Sequence, residues 1–80
     1  MAVRSRLKLL IAERNVERVR TGQPTLTLRS LAAETGLARS TVNGLTTPRA
    51  NRIDFKTLNA LCRYFDVQPG AILEYVPEHD

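Results

Sequence analysis

The chain has 80 residues, with 12 lysines and arginines against 8 acids and a formal net charge of +4. That length makes one domain with no room for a second core, and it buries only about 60% of the surface its unfolded form exposes, so oligomerisation is expected to add stability. A single cysteine, Cys62, excludes an intrachain disulfide and any multi-cysteine zinc site, no run approaches the ~20 apolar residues that span a bilayer, and no signal-peptide pattern opens the chain, so the expected location is the cytoplasm.

The amino-terminal VRSRLKLLIAERN sets Val3, Leu7, Leu10 and Ile11 on one side and Arg4, Arg6, Lys8 and Glu13 largely on the other, the pattern of an amphipathic helix. We expect this helix to extend to about Arg20, where Gly22 and Pro24 break it. A competing layout ends it at Asn15 and leaves residues 16–25 as a mobile loop. Arg14, Arg18 and Arg20 read as a solvated helix end matched to the dipole, with a phosphate or partner contact as the alternative.

Residues 27–46, TLRSLAAETGLARSTVNGLT, hold two short apolar-periodic segments hinged at Gly36. Thr27 suits an N-cap, and Leu26 and Leu31 stand where a hydrophobic staple would close over it. Leu28, Leu31 and Ala32 recur at helical spacing, and Gly36 suits the left-handed residue that stops a helix. Leu37 would fill the corner. Val42 and Leu45 give the next helix an inward stripe, opposite Arg39, Ser40, Asn43 and Gly44. The TTPRANRID that follows contains Pro48, which forces the preceding residue out of helix.

Asp54 reads as the N-cap of a helix with Phe55, Leu58, Leu61, Cys62 and Phe65 on its core face, which would bury the thiol. A last helix is expected from Pro69, with Val67 and Ile72 in staple positions. Tyr75 and Val76 would close the core or pair with a second copy, or Ala2 and Val3 could lie alongside them as a short strand. One domain over residues 1–76 and an acidic tail over 77–80 result, with His79 solvated. Charge is polarised: no acid falls between Thr35 and Ile53, and no lysine or arginine follows Arg63. Such a basic face would concentrate near phosphates.

The small residue Ala32, the turn glycine Gly36, the aliphatics Val42 and Leu45, a Pro/Arg loop and the downstream LxxLCRYF and VQPGAIL segments resemble, in order, the helix-turn-helix regulators of the Cro and lambda-repressor (XRE-like) type. The resemblance covers roughly residues 26–76. It implies an all-α, five-helix lambda-repressor-like domain, here with an extended first helix, whose third helix lies in the DNA major groove. The partner it implies is double-stranded DNA, bound by a homodimer.

Chemistry then assigns roles on that helix. Arg39 can give two parallel bonds to guanine, Asn43 can pair with adenine, Ser40 can reach a base or a phosphate, and Thr41 can offer its methyl to thymine. The loop of these proteins runs beside the DNA backbone, which makes Arg49 and Arg52, with Thr46, Thr47 and Asn51 as neutral donors, phosphate-binding candidates. Leu28 replaces a polar residue that often reaches a phosphate, a duty that Thr27 or Arg29 would take over. Ala38 replaces the usual serine or threonine cap, and Gly44 a long polar side chain.

The function expected is a small sequence-specific transcriptional regulator. The alternative is a protein-interaction module, antitoxin-like or accessory, built on the same helices. An enzyme is not expected, since no cysteine and histidine pair, glycine-rich phosphate loop or carboxylate constellation is present. Neither a cofactor, a metal nor a small-molecule ligand is implied.

Overall fold

Ser5 decides where the first helix begins. Its Oγ accepts a hydrogen bond from the Leu7 amide at 3.1 Å, and Arg6 turns the chain by donating its own amide to the Ile72 carbonyl. The structure, a computed structural model that describes residues 2–47 and 50–77, therefore starts with a strand, β1 (Ala2–Ser5). Helix α1 (Leu7–Arg20) follows, then α2 (Leu28–Thr35), α3 (Arg39–Gly44) and α4 (Phe55–Phe65). A single 3-10 turn, Pro69–Ala71, leads into a second strand, β2 (Leu73–Val76).

The two strands pair antiparallel, Val3 opposite Tyr75, Arg4 opposite Glu74 and Ser5 opposite Leu73. This corrects two sequence expectations. Val3 belongs to a strand and not to α1, and the fifth helix reduces to one turn. The reason is local: Gly70, the weakest helix former after proline, follows Pro69 directly and weakens the turn, whereas LEYV contains the β-branched and aromatic residues that suit a strand. The ends of the described chain thus tie together, and Arg4 Nε bonds Glu74 Oε2 at 3.1 Å across them.

The core gathers Leu7, Leu26, Leu31, Ala32, Val42, Leu45, Leu61, Phe65 and Ile72, one or two from nearly every element. Leu10 and Ile11 pack against it from α1, and Leu58 and Cys62 from α4; the thiol is half-buried. Phe55 does not join them and is 88% exposed. The buried stripe of α4 runs through Thr57, Leu61 and Phe65, and on a helix turning 100° per residue Phe55 lies well to its flank. Leu9, Val16 and Val19 form a second, outward-facing apolar set on α1.

The arginines near the end of α1 are structural. Arg14 Nη2 reaches the Phe65 carbonyl at 3.5 Å, with its guanidinium 5.3 Å from the Phe65 ring centroid and 5.9 Å from that of Tyr64. Arg18 donates to the Pro24 carbonyl and to the Tyr64 hydroxyl, which in turn donates to Glu34. One tyrosine therefore links α1, α2 and α4. Desolvation first, and then its bond to Glu34, raise the Tyr64 pKa above the ordinary phenol value. Arg20 pairs with Glu17 on the surface. The helix does run to Arg20, and Gly22, at φ 75°, turns the chain away from it.

Candidate nucleic-acid interface

The placement of α2 starts one helix earlier, at Asn15. Its side-chain amide donates to the Leu26 carbonyl at 2.9 Å, and its carbonyl accepts the Leu26 amide at 2.6 Å. Both polar groups of one buried backbone residue are thus satisfied by one side chain. Leu26 then meets Leu31 in the core, the staple expected from sequence. Thr27 caps the helix by accepting the Ser30 amide at 3.0 Å, and Ser30 Oγ returns the favour to the Thr27 amide at 2.9 Å. Such a box leaves the first two helical amides, those of Leu28 and Arg29, without intrahelical partners.

At the other end of α2, Thr35 Oγ1 donates to the Leu31 carbonyl at 2.7 Å and Gly36 takes the left-handed conformation at φ 75°. That single residue sets the angle between α2 and α3. Ala38 starts α3 with no side-chain cap. Its carbonyl accepts the amides of both Thr41 and Val42. Val42, at 0% exposure, faces Leu31 and Ala32, and Leu45 is buried beside it. Arg39, Ser40, Asn43 and Gly44 are exposed and Thr41 is half-buried. The short helix therefore has one face locked into the core and one turned to solvent.

Thr46 and Thr47 close α3. The first donates its hydroxyl to the Asn43 carbonyl at 2.8 Å and the second to the Gly44 carbonyl at 3.0 Å. Both hydroxyls thus bond carbonyls of α3 in the chain itself. The hydroxyl of Thr27 is likewise held in its capping box. Arg29 is exposed on the first turn of α2.

A groove of about 750 Å³ opens beside α3. Ser40, Thr41 and Gly44 form one wall, Thr47, Asn51 and Arg52 the next, and Asp54 and Thr57 the far side. Five of the residues singled out from sequence on α3 and its loop, Ser40, Thr41, Thr47, Asn51 and Arg52, share this concavity. Arg39 and Asn43 do not line it, and Thr27 and Arg29 lie on α2. Arg49 falls outside the described residues, as do Pro48 and the acidic end with His79. The Asp54 carboxylate caps α4 by accepting the Thr57 amide at 2.7 Å. Hydrogen bonds from the Thr57 side chain and then its backbone hold its pKa below the usual carboxylate value, with Lys56 adding attraction. Its charge is directed at the start of its own helix.

Sequence reasoning passed over Asn15 because one asparagine inside an amphipathic stretch carries no pattern. It also passed over Ser30, since the usual signature of a capping box places Glu or Gln there. Among the described residues no group of three or more His, Cys, Asp or Glu side chains is placed to hold a metal ion, and no helix is long and apolar enough to cross a membrane.

A family model described as the Cro/C1-type HTH DNA-binding domain matches residues 6–78. No curated protein matches the chain, and no solved structure does. The helix–turn–helix formed by α2 and α3 and a match that runs over most of the chain agree: this protein belongs to the Cro/C1-type helix-turn-helix DNA-binding family.

Proposed function

We propose that the protein is a small sequence-specific transcriptional regulator that lays α3 in the DNA major groove and acts in the cytoplasm as a homodimer. The observation that carries this reading is the two-sidedness of α3. Val42 anchors it at 0% exposure while Arg39, Ser40 and Asn43 stand in solvent. Arg39 and Asn43 are one turn apart on that face and bring the two side chains best suited to bidentate base contacts, to guanine and adenine respectively. Ser40 and Thr41 lie where the face meets the groove, next to Asn51 and Arg52.

Phosphate binding falls to groups that are not consumed by the fold. Arg52 and Asn51 on the loop, Arg29 on α2 and the open amides at the start of α2 satisfy that condition. Thr27, Thr46 and Thr47 act behind them, holding helix ends in place. Arg49 belongs to the same loop by sequence.

A helix of six residues is only about 9 Å long, so one copy reads a few base pairs. Two copies spaced by one turn of DNA, about 34–36 Å, would double the recognised sequence and match a pseudo-palindromic site.

The test is fluorescence-anisotropy binding to a randomised duplex pool, with sequencing of the retained fraction. A twofold-symmetric motif is expected. Arg39→Ala should flatten the preference at one position in each half, and Arg52→Ala should weaken all sequences alike with a shallower salt dependence. Absence of duplex binding at 50 mM salt would refute the reading.

A further inference from the structure

Two hollows meet at Leu45, Thr47 and Ala50. One is the groove beside α3. The other, of about 440 Å³, is walled by Arg4 and Ser5 of β1, Lys8 of α1, and Leu45, Thr46 and Ala50. Leu45, Thr47 and Ala50 line both, so the two hollows adjoin. Among the described residues no acid lines the second hollow, whereas two cations, Arg4 and Lys8, do.

These cations come from the opposite end of the sequence. β1 brings Arg4 there because it pairs with β2, and Lys8 follows on the first turn of α1. Arg4 is bound to Glu74 at 3.1 Å, yet its side chain remains 64% exposed. Glu74 also forms an ion pair with Arg6 at 3.7 Å. One carboxylate thus serves two guanidinium groups, and with exposed Lys8 the cluster keeps an excess of positive charge beside the end of α3. Salt bridges at such exposure hold a side chain in place weakly and leave its remaining N–H donors open.

We propose that Arg4 and Lys8 form a second phosphate site, which binds the DNA backbone flanking the bases read by α3. This rests on the reading of α3 as the DNA-reading helix. Phosphodiester is the ligand that fits: the site is cationic, open to solvent and adjoins the groove that would face the duplex. Residues 2–5 lie before the stretch matched by the family model, so Arg4 is a contribution of this chain's own strand. The site adds affinity without sequence discrimination, because phosphates carry no base identity.

The experiment measures binding of the whole chain to its enriched duplex and to a scrambled one of equal length between 50 and 200 mM salt, for wild type, Lys8→Gln, the Arg4→Gln/Lys8→Gln pair and Arg63→Gln as a distant control. Each phosphate contact multiplies the affinity lost over that range by about 3.5, so the double variant should lose about 12-fold less than wild type. Both duplexes should show the same change, with their affinity ratio kept. Lys8→Gln, which breaks no ion pair among the described residues, should show one contact's worth and guards against damage to the sheet. Arg63→Gln should follow wild type. A duplex trimmed to the bases under α3 should abolish the difference between wild type and double variant.

Salt plots for Lys8→Gln and the double variant that run parallel to wild type, with wild type binding normally, would overturn this site and leave the α3 reading standing. A wild-type chain that binds neither duplex at 50 mM would overturn both.

Discussion

Removing the Asn15 side chain is the most informative single perturbation of the scaffold. Asn15→Ala deletes two hydrogen bonds, of 2.9 and 2.6 Å, to the backbone of Leu26. Leu26 is 2% exposed, so its amide and carbonyl lose partners where water reaches them poorly. Two ordinary bonds at about 1 kcal/mol each, plus part of the cost of unpaired groups, give a loss of roughly 2–3 kcal/mol. For a domain of this size each kcal/mol lowers the melting temperature by about 4–8 °C, so the variant should melt about 10–20 °C below wild type when followed by circular dichroism. Asn15→Asp keeps the acceptor for the Leu26 amide but loses the donor to its carbonyl, and should fall between the two. The amide of Leu26 should also lose protection from hydrogen exchange by more than the amides of α4. A variant that melts within about 2 °C of wild type would refute the argument that this clamp sets the start of α2.

Three further outcomes follow from other parts of the fold. Thr27→Ala removes half of the capping box and should cost about 1 kcal/mol, most of which Thr27→Ser should restore, both read from urea unfolding. Gly44→Ala should raise stability by about 1 kcal/mol, because Gly44 is helical and a methyl there meets nothing within 4 Å; duplex affinity should fall at the same time if backbone and DNA meet closely at that point, and binding titrations beside melting curves separate the two effects. The Asp54 carboxyl has a folded pKa below its unfolded one, so its stabilisation is complete above about pH 4 and is lost as pH falls through the folded value. Asp54→Asn should therefore flatten the acid limb of stability against pH, and an unchanged limb would show that other carboxylates govern it.

The centre of the chain was legible because its signals are local. Thr27 as a cap, Gly36 as a left-handed stop, and Val42 and Leu45 as an inward pair each follow from residues within a few positions of one another. The extent of α1 was legible in the same way, from Gly22 and Pro24. What escaped reading depends on distant partners. Four residues such as AVRS are too few to tell a period of two from one of 3.6, so the strand beside Tyr75 and Val76 stands only as an alternative to the helix, and its pairing with LEYV some seventy positions later decides for it. Arg14 and Arg18 look like a solvated helix end until Tyr64, Phe65 and Pro24 are brought against them. The bonds of Thr46 and Thr47 to the α3 carbonyls leave no mark in the sequence. Phe55 was assigned to the core by residue type, although it projects to the flank of the buried Thr57, Leu61 and Phe65 stripe. The aromatic residues are for that reason not all on core faces, with Tyr75 also exposed.

The sheet carries a kinetic consequence. α2 and α3 pack as neighbours and α2 meets α4 through the Glu34–Tyr64 bond, 30 positions apart, but the Arg4–Glu74 pair spans 70 residues. Closing a loop of that length costs on the order of 4 kcal/mol of chain entropy, to be recovered by two strands of four residues. Such a closure comes late in folding, after the helices have shortened the effective chain, and it reopens first under mild denaturant. Amides of β1 and β2 should accordingly exchange through a low-energy opening that leaves α2 and α3 intact. Because β1 brings Arg4 to the end of α3, that opening would uncouple a flanking cation from the helix beside it while the rest of the domain stays folded.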